Sequence, residues 1–226
     1  MTSKILLVDG YKLTRHCLRQ LVTVDARWQL LEAADMSEAR SAIPGQSIDL
    51  ALIDISDPAK SGLETFCDLK ALLPGVPVVV VNGEEDDMQI AHYQRLGCQA
   101  YLTRHASAEY VRAAVAQALT GEQVWNIAGP PLAGATPQAE VVPSHRFADY
   151  EMLSFRELQI FLKLLRGKST SLIARELGIA DSSVSVFKAR LLQKLQLATE
   201  ADLIAYALRS HLVRLPDGRQ AASSHD

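Results

Sequence analysis

Residues 49–64 read DLALIDISDPAKSGLE, and this stretch contains the pattern from which the fold is predicted. Residues 50–53 are all apolar, so both faces of the segment are apolar, which is typical of a parallel strand covered on both sides. Asp54 directly follows this run. Apolar residues then recur at helical spacing, at Leu63, Phe66, Leu69 and Leu73. The stretch therefore predicts a strand, a loop that starts at an acid, and a helix.

The same pattern of a strand followed by a helix occurs five times before residue 121. The other apolar runs are residues 4–8, 28–33, 76–81 and, more weakly, 100–103. Helical patterns separate them, such as Leu13, Cys17, Leu21 and Val24, and later Val111, Val115 and Leu119. Five βα units in a row, with right-handed crossovers, predict a doubly wound α/β domain of the flavodoxin-like (βα)5 kind over residues 1–121.

A change of composition divides the chain into two domains. Residues 129–143, GPPLAGATPQAEVVP, include nine Gly, Pro or Ala residues, a composition typical of a semi-extended linker. The pattern after residue 150 is purely helical, and the last residues are polar. We predict a linker over 122–149, a small all-α four-helix domain over 150–214 and a flexible tail over 215–226.

Composition and charge exclude several classes of protein. The 226 residues are 48% hydrophobic and 22% charged, as in ordinary globular domains. We expect neither a membrane span nor a signal peptide, and Cys17, Cys67 and Cys98 are too far apart for a disulfide scaffold or a zinc site. A cytoplasmic protein without a membrane partner is therefore expected.

The two ends of the chain differ in charge. Residues 1–121 carry 11 basic and 15 acidic side chains, whereas residues 150–226 carry 11 and 8. This is the distribution that a regulator with a separate nucleic-acid-binding module shows.

Two acids should meet at one edge of the predicted sheet. Asp9 follows the first strand and Asp54 follows the third, and the carboxyl ends of neighbouring parallel strands lie together. Because Mg²⁺ prefers oxygen ligands, we predict weak binding of Mg²⁺ at Asp9 and Asp54, with no cofactor required. The alternative for either acid alone is a structural role in a turn at the end of its strand.

Three segments, ILLVDG, DLALIDISDPAKSGLE and GCQAYLTRHAS, resemble the signature blocks of a response-regulator receiver domain. The resemblance covers about residues 3–121. It implies that Asp54 is at the phosphoacceptor position, and that the aligned Ser56 would offer a metal only its backbone carbonyl.

Other functional positions of that family are altered in this chain. Gly10 replaces the second acid after strand one, Asn82 replaces the Thr or Ser after strand four, and Arg104 replaces the Lys after strand five. Because phosphoryl transfer to a carboxylate depends on neutralisation of charge, we predict a degenerate receiver that works without routine phosphorylation, with Arg104 paired to Asp54 or Asp9. The alternative is a conventional regulator that is phosphorylated at Asp54.

The helical pattern after residue 150 predicts a helix-turn-helix. Ser154 and Glu157 form a capping-box pattern before an apolar run that Gly167 ends, and a short helix follows over about 169–177. Asp181 or Ser182 should cap the next helix, whose buried stripe is Val184, Phe187, Leu191 and Leu195. Any small helical bundle would share this much of the pattern.

The opposite face of that third helix favours DNA binding because its residues are small or basic, which suits a helix in the major groove. Nearby basic side chains could neutralise phosphates. The predicted DNA contacts are Lys168, Thr170, Ser182, Ser183, Ser185, Val186, Lys188, Ala189, Arg190 and Lys194.

The helical segment resembles the DNA-binding domain of NarL/LuxR-type (FixJ-like) response regulators along its full length. The matching residues are Leu153, Arg156, Glu157, Gly167, Ile173, Ala174, Leu177, Ile179, Val184, Lys194, Leu195 and Ala205. The sequence departs from the family at Ser185, Phe187 and Ala189, which lack the usual basic or histidine side chain. The fourth helix, about 200–212, corresponds to the family's dimer contact, which implies contacts at Leu203, Ile204, Ala207, Leu208 and His211.

The resemblance implies a transcriptional regulator of the two-component type that binds double-stranded DNA as a homodimer, with a sensor histidine kinase and RNA polymerase as further partners. Two other hypotheses stay open: an adaptor that binds a protein partner, and a sensor of a small ligand such as a cyclic dinucleotide. An enzyme is not expected, because no activated nucleophile with an adjacent base can be assembled from these residues.

Overall fold

The computed structural model describes residues 2–56, 62–125 and 152–209, and the chain forms two compact units, 1–143 and 144–226. The predicted tail and the predicted linker beyond residue 125 lie outside the described residues. Within the described residues, no helix has both the length and the apolar character needed to cross a bilayer.

The first unit contains a five-stranded parallel sheet in the order β2-β1-β3-β4-β5. The strands are β1 Ser3–Val8, β2 Trp28–Ala33, β3 Leu50–Asp54, β4 Val78–Gly83 and β5 Ala100–Thr103. The helices are α1 Lys12–Val22, α2 Met36–Ala42, α3 Gly62–Leu72, α4 Asp87–Arg95 and α5 Ala108–Leu119. The predicted flavodoxin-like fold is confirmed.

Helices cover both faces of this sheet. Ile5, Leu7 and Leu52 belong to a core that includes residues of α1 and α5. Residues whose side chains alternate with these along the strands, such as Leu6 and Ile53, are also fully buried. Because both faces are covered, the strands need apolar residues at every position, which explains the uninterrupted runs in the sequence.

Two boundaries in the first unit differ from the sequence analysis. Strand β4 continues through Asn82 to Gly83, whose carbonyl accepts a hydrogen bond from the Arg104 N–H at 3.1 Å. Val124, in the segment predicted as linker, forms a bridge to Ala100 and is buried in the core. Packing of the first unit therefore continues beyond residue 121.

The second unit consists of four described helices: α6 Phe155–Leu165, α7 Thr170–Leu177, α8 Asp181–Lys194 and α9 Glu200–Arg209. The predicted capping box at the start of α6 is present. Ala180, rather than Asp181 or Ser182, is at the N-cap of α8 and provides no side-chain hydrogen bond. Asp181 instead accepts a hydrogen bond at 2.5 Å from the hydroxyl of Ser171, which joins the start of α8 to the start of α7.

Candidate phosphoacceptor site and nucleic-acid interface

Asp9 and Asp54 lie at adjacent strand ends. Val8 pairs with Ile53 across β1 and β3, Asp9 directly follows β1, and Asp54 is the last residue of β3. Asp9 is buried, and its Oδ1 accepts the Tyr11 N–H at 2.7 Å, whereas Asp54 is half-buried. The sheet topology thus brings both acids to one edge, as the order of the strands predicted, and Gly10 beside them is exposed.

The side chain of Asn82 is bound to the carboxylate of Asp54. The Asn82 Nδ2 donates to Asp54 Oδ2 at 2.5 Å, and the Ser56 N–H donates to Oδ1 at 2.7 Å. Asn82 has a φ of 56°, in the left-handed region that Asn adopts more readily than most residues. Both carboxylate oxygens of Asp54 therefore already accept hydrogen bonds from N–H donors of the protein.

These residues do not fit a magnesium ion as they stand. No group of three His, Cys, Asp or Glu side chains within the described ranges could hold a metal ion. The Asn82 amide at Asp54 Oδ2 competes with a cation for that oxygen.

The side chain of Arg104 is directed to Glu84. Its guanidinium lies 3.6 Å from Glu84 Oε1 and is 56% exposed. The expected pairing of Arg104 with Asp54 or Asp9 is therefore replaced by this surface pair, since the backbone of Arg104 is hydrogen-bonded next to Glu84, at Gly83. Such exposed pairs contribute about 1 kcal/mol or less to stability.

The outer face of α8 is exposed and mostly small. Val184, Leu191 and Leu195 of the predicted stripe are buried, Phe187 is only half-buried, and Val186 is 50% exposed. The other predicted contacts on this helix divide into exposed Ser182, Ser185, Ala189 and Arg190 and half-buried Ser183 and Lys188. Among the described residues, Arg190 has no ion-pair partner. The predicted face is therefore accessible.

The three lysines of the predicted interface all form ion pairs. Lys188 Nζ lies 3.0 Å from Glu200 Oε2. Lys168 Nζ lies 3.0 Å from Glu176 Oε2. Lys168 precedes α7, and Thr170 is the first residue of that helix. These acids reduce the positive charge that faces solvent.

Lys194 is part of the packing of the second unit. Its Nζ lies 2.6 Å from Glu157 Oε2 and 3.1 Å from the carbonyl of Met152. Burial tends to raise the pKa of Glu157, but the hydrogen bonds from Lys194 and Ser154 outweigh burial and lower it. Lys194 therefore joins the end of α8 to the start of α6. A contact of Lys194 with DNA would require release of these two bonds.

Two of the residues predicted at a dimer contact are inside their own unit. Leu203 and Ala207 are buried, whereas Ile204 is 56% exposed and Leu208 is half-buried. Leu203 and Ala207 lie on the inward face of α9 and complete the core of their own unit, so the predicted dimer contact stays a prediction for Ile204 and Leu208. His211 lies outside the described residues.

Lys163 is a charged residue that the sequence analysis missed. It is fully buried in α6, and its Nζ lies 2.9 Å from Glu176 Oε2. Its place in the run FLKLL indicated burial, but the partner is 13 residues away and on another helix. Only the packing of α7 against α6 identifies that partner.

Two family models match the chain. The response regulator receiver domain matches residues 5–116, and the luxR family of bacterial regulatory proteins matches residues 151–207.

Two curated relatives match this chain along most of their own length. The response regulator GacA of Pseudomonas aeruginosa is 26% identical over 215 residues, which cover 93% of this chain and 97% of GacA. The nitrate/nitrite response regulator NarL of Escherichia coli K12 is 29% identical over 201 residues, which cover 88% of this chain and 91% of NarL. Among solved structures, RcsB from Salmonella enterica serovar Typhimurium bound to a promoter has a TM-score of 0.56 at 16% identity. The match covers 91% of this chain and 98% of the RcsB chain, and at this identity it supports the fold alone. This chain is a response regulator of the NarL/LuxR type, with a receiver domain followed by a luxR-family helix-turn-helix DNA-binding domain.

Proposed function

We propose that this protein binds double-stranded DNA as a dimer and regulates transcription, with α8 in the major groove. The observation that carries the proposal is the outer face of α8, on which Ser185, Val186 and Arg190 are accessible while Val184 and Leu191 hold the helix in its core. Small side chains let a helix approach base edges, Ser can hydrogen-bond to them, and Val can contact a thymine methyl group. A sensor kinase and RNA polymerase stay predicted partners.

The receiver is proposed to reach its DNA-competent state without routine phosphorylation of Asp54. The support is local: the Asn82 amide binds one carboxylate oxygen of Asp54, Arg104 binds Glu84, and Gly10 leaves the edge without a third acid. A phosphate on Asp54 would add about 1.5–2 negative charges. It would change the conformation only through differential contacts, and the residues that would make those contacts are altered or already bound elsewhere.

Incubation with a small phosphodonor and Mg²⁺ should therefore leave the DNA affinity of the full chain unchanged. The measurements are the mass of the intact chain and its affinity for a duplex that the protein selects from random-sequence DNA. Asp54→Asn controls for phosphorylation elsewhere, and the triple variant Gly10→Asp, Asn82→Thr, Arg104→Lys should gain an adduct. A stoichiometric adduct on wild-type Asp54 with a tenfold gain in affinity, about 1.4 kcal/mol, would contradict the proposal.

Dimerisation is proposed to involve the exposed side of α9. Ile204 is a large apolar residue that faces solvent there, beside the exposed Ala201 and Ala205. Two protomers on adjacent half-sites double the base and phosphate contacts of one small domain, which by itself makes few.

We expect Ile204→Glu to weaken binding to the full selected duplex while binding of one protomer to a half-site stays the same, because the new carboxylate lies off the reading face. Sedimentation of wild type and variant with each duplex measures both quantities. Equal stoichiometry and equal affinity on the full duplex would show that this side of α9 is not the dimer contact. If the wild type binds neither duplex in a salt-dependent manner, the DNA-binding proposal itself fails and the adaptor hypothesis replaces it.

A further inference from the structure

Lys168, Lys188 and Lys194 of the predicted interface are each paired with a glutamate. They differ in whether that glutamate keeps another cation if the lysine moves to a DNA phosphate. Within the described ranges, Glu200 and Glu157 each have one lysine partner, Lys188 and Lys194 respectively. Glu176 has two, because Lys163 and Lys168 both place their Nζ within 3.0 Å of its Oε2. The second cation at Glu176 is the feature that sets this cluster apart.

The positions of Lys163 and Lys168 are not equivalent. Lys163 is fully buried in α6 and stays beside Glu176, whereas Lys168 is partly exposed and precedes the first turn of α7. The hydroxyl of Ser171 binds Asp181 at 2.5 Å, so Lys168 is at the end of α7 that meets the start of α8. In a helix-turn-helix, the first helix crosses the DNA backbone beside the groove that the second helix enters.

We propose that Lys163 is a positioning residue for DNA binding, a role that rests on the function proposed above. Its ammonium group neutralises Glu176. The Lys168 side chain can therefore leave Glu176 and form an ion pair with a DNA phosphate. If Lys188 moved to a phosphate, the carboxylate of Glu200 would be left close to the DNA without its lysine. If Lys194 moved, the buried carboxylate of Glu157 would be left without its lysine. A bare carboxylate near phosphates is repelled, and a buried one is costly.

The side chains of Lys163, Glu176 and Lys168 together carry one net positive charge. Removal of Lys163 would reduce that charge to zero, and Lys168 would have to remain with Glu176. The proposal therefore predicts that a residue buried away from DNA determines how many counterions DNA binding releases.

The test is non-specific binding of the full chain to a random-sequence duplex over a series of salt concentrations. We expect Lys163→Met to lower the slope of log affinity against log salt by about 0.9, the value for one lost phosphate contact. Lys168→Ala should lower the slope equally, and the double variant should lower it no further. Lys163→Gln keeps a hydrogen-bond donor toward Glu176 but removes the charge, so it should lower the slope by the same amount. It replaces the Met variant in this test if that variant does not fold.

If Lys163 had a purely structural role, its variants would change the stability of the protein but leave the salt dependence of DNA binding unchanged. Met has a similar volume and Glu176 keeps Lys168 as a partner, so Lys163→Met should still fold, and its unfolding temperature measures any structural contribution of Lys163. Unchanged slopes for both Lys163 variants, or additive losses in the double variant, would overturn the role of Lys163 and leave the DNA-binding proposal intact. A wild-type slope of zero would overturn both.

Discussion

Replacing Val186 by glutamate should reduce the affinity of the protein for its selected duplex at least about a hundredfold, which is about 2.8 kcal/mol. Val186 is half-exposed on the outer face of α8, where the proposed contact is with base edges. The substitution removes an apolar contact and places a carboxylate among phosphates, and juxtaposed like charges cost several kcal/mol.

The control for this experiment is Val24→Glu, which introduces the same charge at an exposed valine of the receiver domain. It should leave DNA affinity unchanged. Neither variant should change the free energy of unfolding by more than about 0.5 kcal/mol, because both valines are at the surface. Retention of wild-type affinity by Val186→Glu would show that this face of α8 does not read DNA.

Gly83→Ala should lower the free energy of unfolding by about 3 kcal/mol, the upper range for overpacking of a core. A Cβ at residue 83 would lie closer to the ring and hydroxyl of Tyr101 than any non-bonded contact allows. Tyr101 cannot easily move, because it is buried and its hydroxyl donates to Gln89 Oε1 at 2.6 Å. Chemical unfolding of the full chain measures the loss.

A double-mutant cycle identifies the clash as the cause. Tyr101→Leu removes the outer ring atoms and the hydroxyl, so the cost of Gly83→Ala in that background should fall below about 1 kcal/mol. Gly75→Ala is the matched control, because nothing lies within 4 Å of a Cβ there and only the φ of 84° opposes it. That control should cost about 1–2 kcal/mol. An equal cost of Gly83→Ala with and without Tyr101 would exclude the clash.

The receiver fold was predictable because its signals are local. Uninterrupted apolar runs such as 50–53 occur when both faces of a strand are buried, and the order of the strands placed Asp9 and Asp54 at one edge. The boundary of β4 was less predictable. Asn82 and Gly83 are polar or small, but they continue the strand because their neighbours in the sheet supply hydrogen bonds.

The accessible face of α8 was predictable for the same reason. The apolar stripe of α8 at Val184 and Leu191 leaves the small residues on the opposite side. The role of each charged residue was not predictable, since a lysine at a given spacing carries no signal of its partner. Lys194 was predicted to contact DNA, yet it binds the capping-box carboxylate of Glu157, 37 residues earlier in the chain.

The sequence by itself determined the two domains, their secondary structure, the strand-end acids and the accessible face of α8, because periodicity and capping depend on residues close together in the chain. Only the tertiary structure decided that Asn82 binds Asp54, that Arg104 binds Glu84 and that the buried Lys163 shares Glu176 with Lys168. Hydrogen bonds and ion pairs act over a few ångströms between atoms, and packing alone brings residues from different elements to that distance.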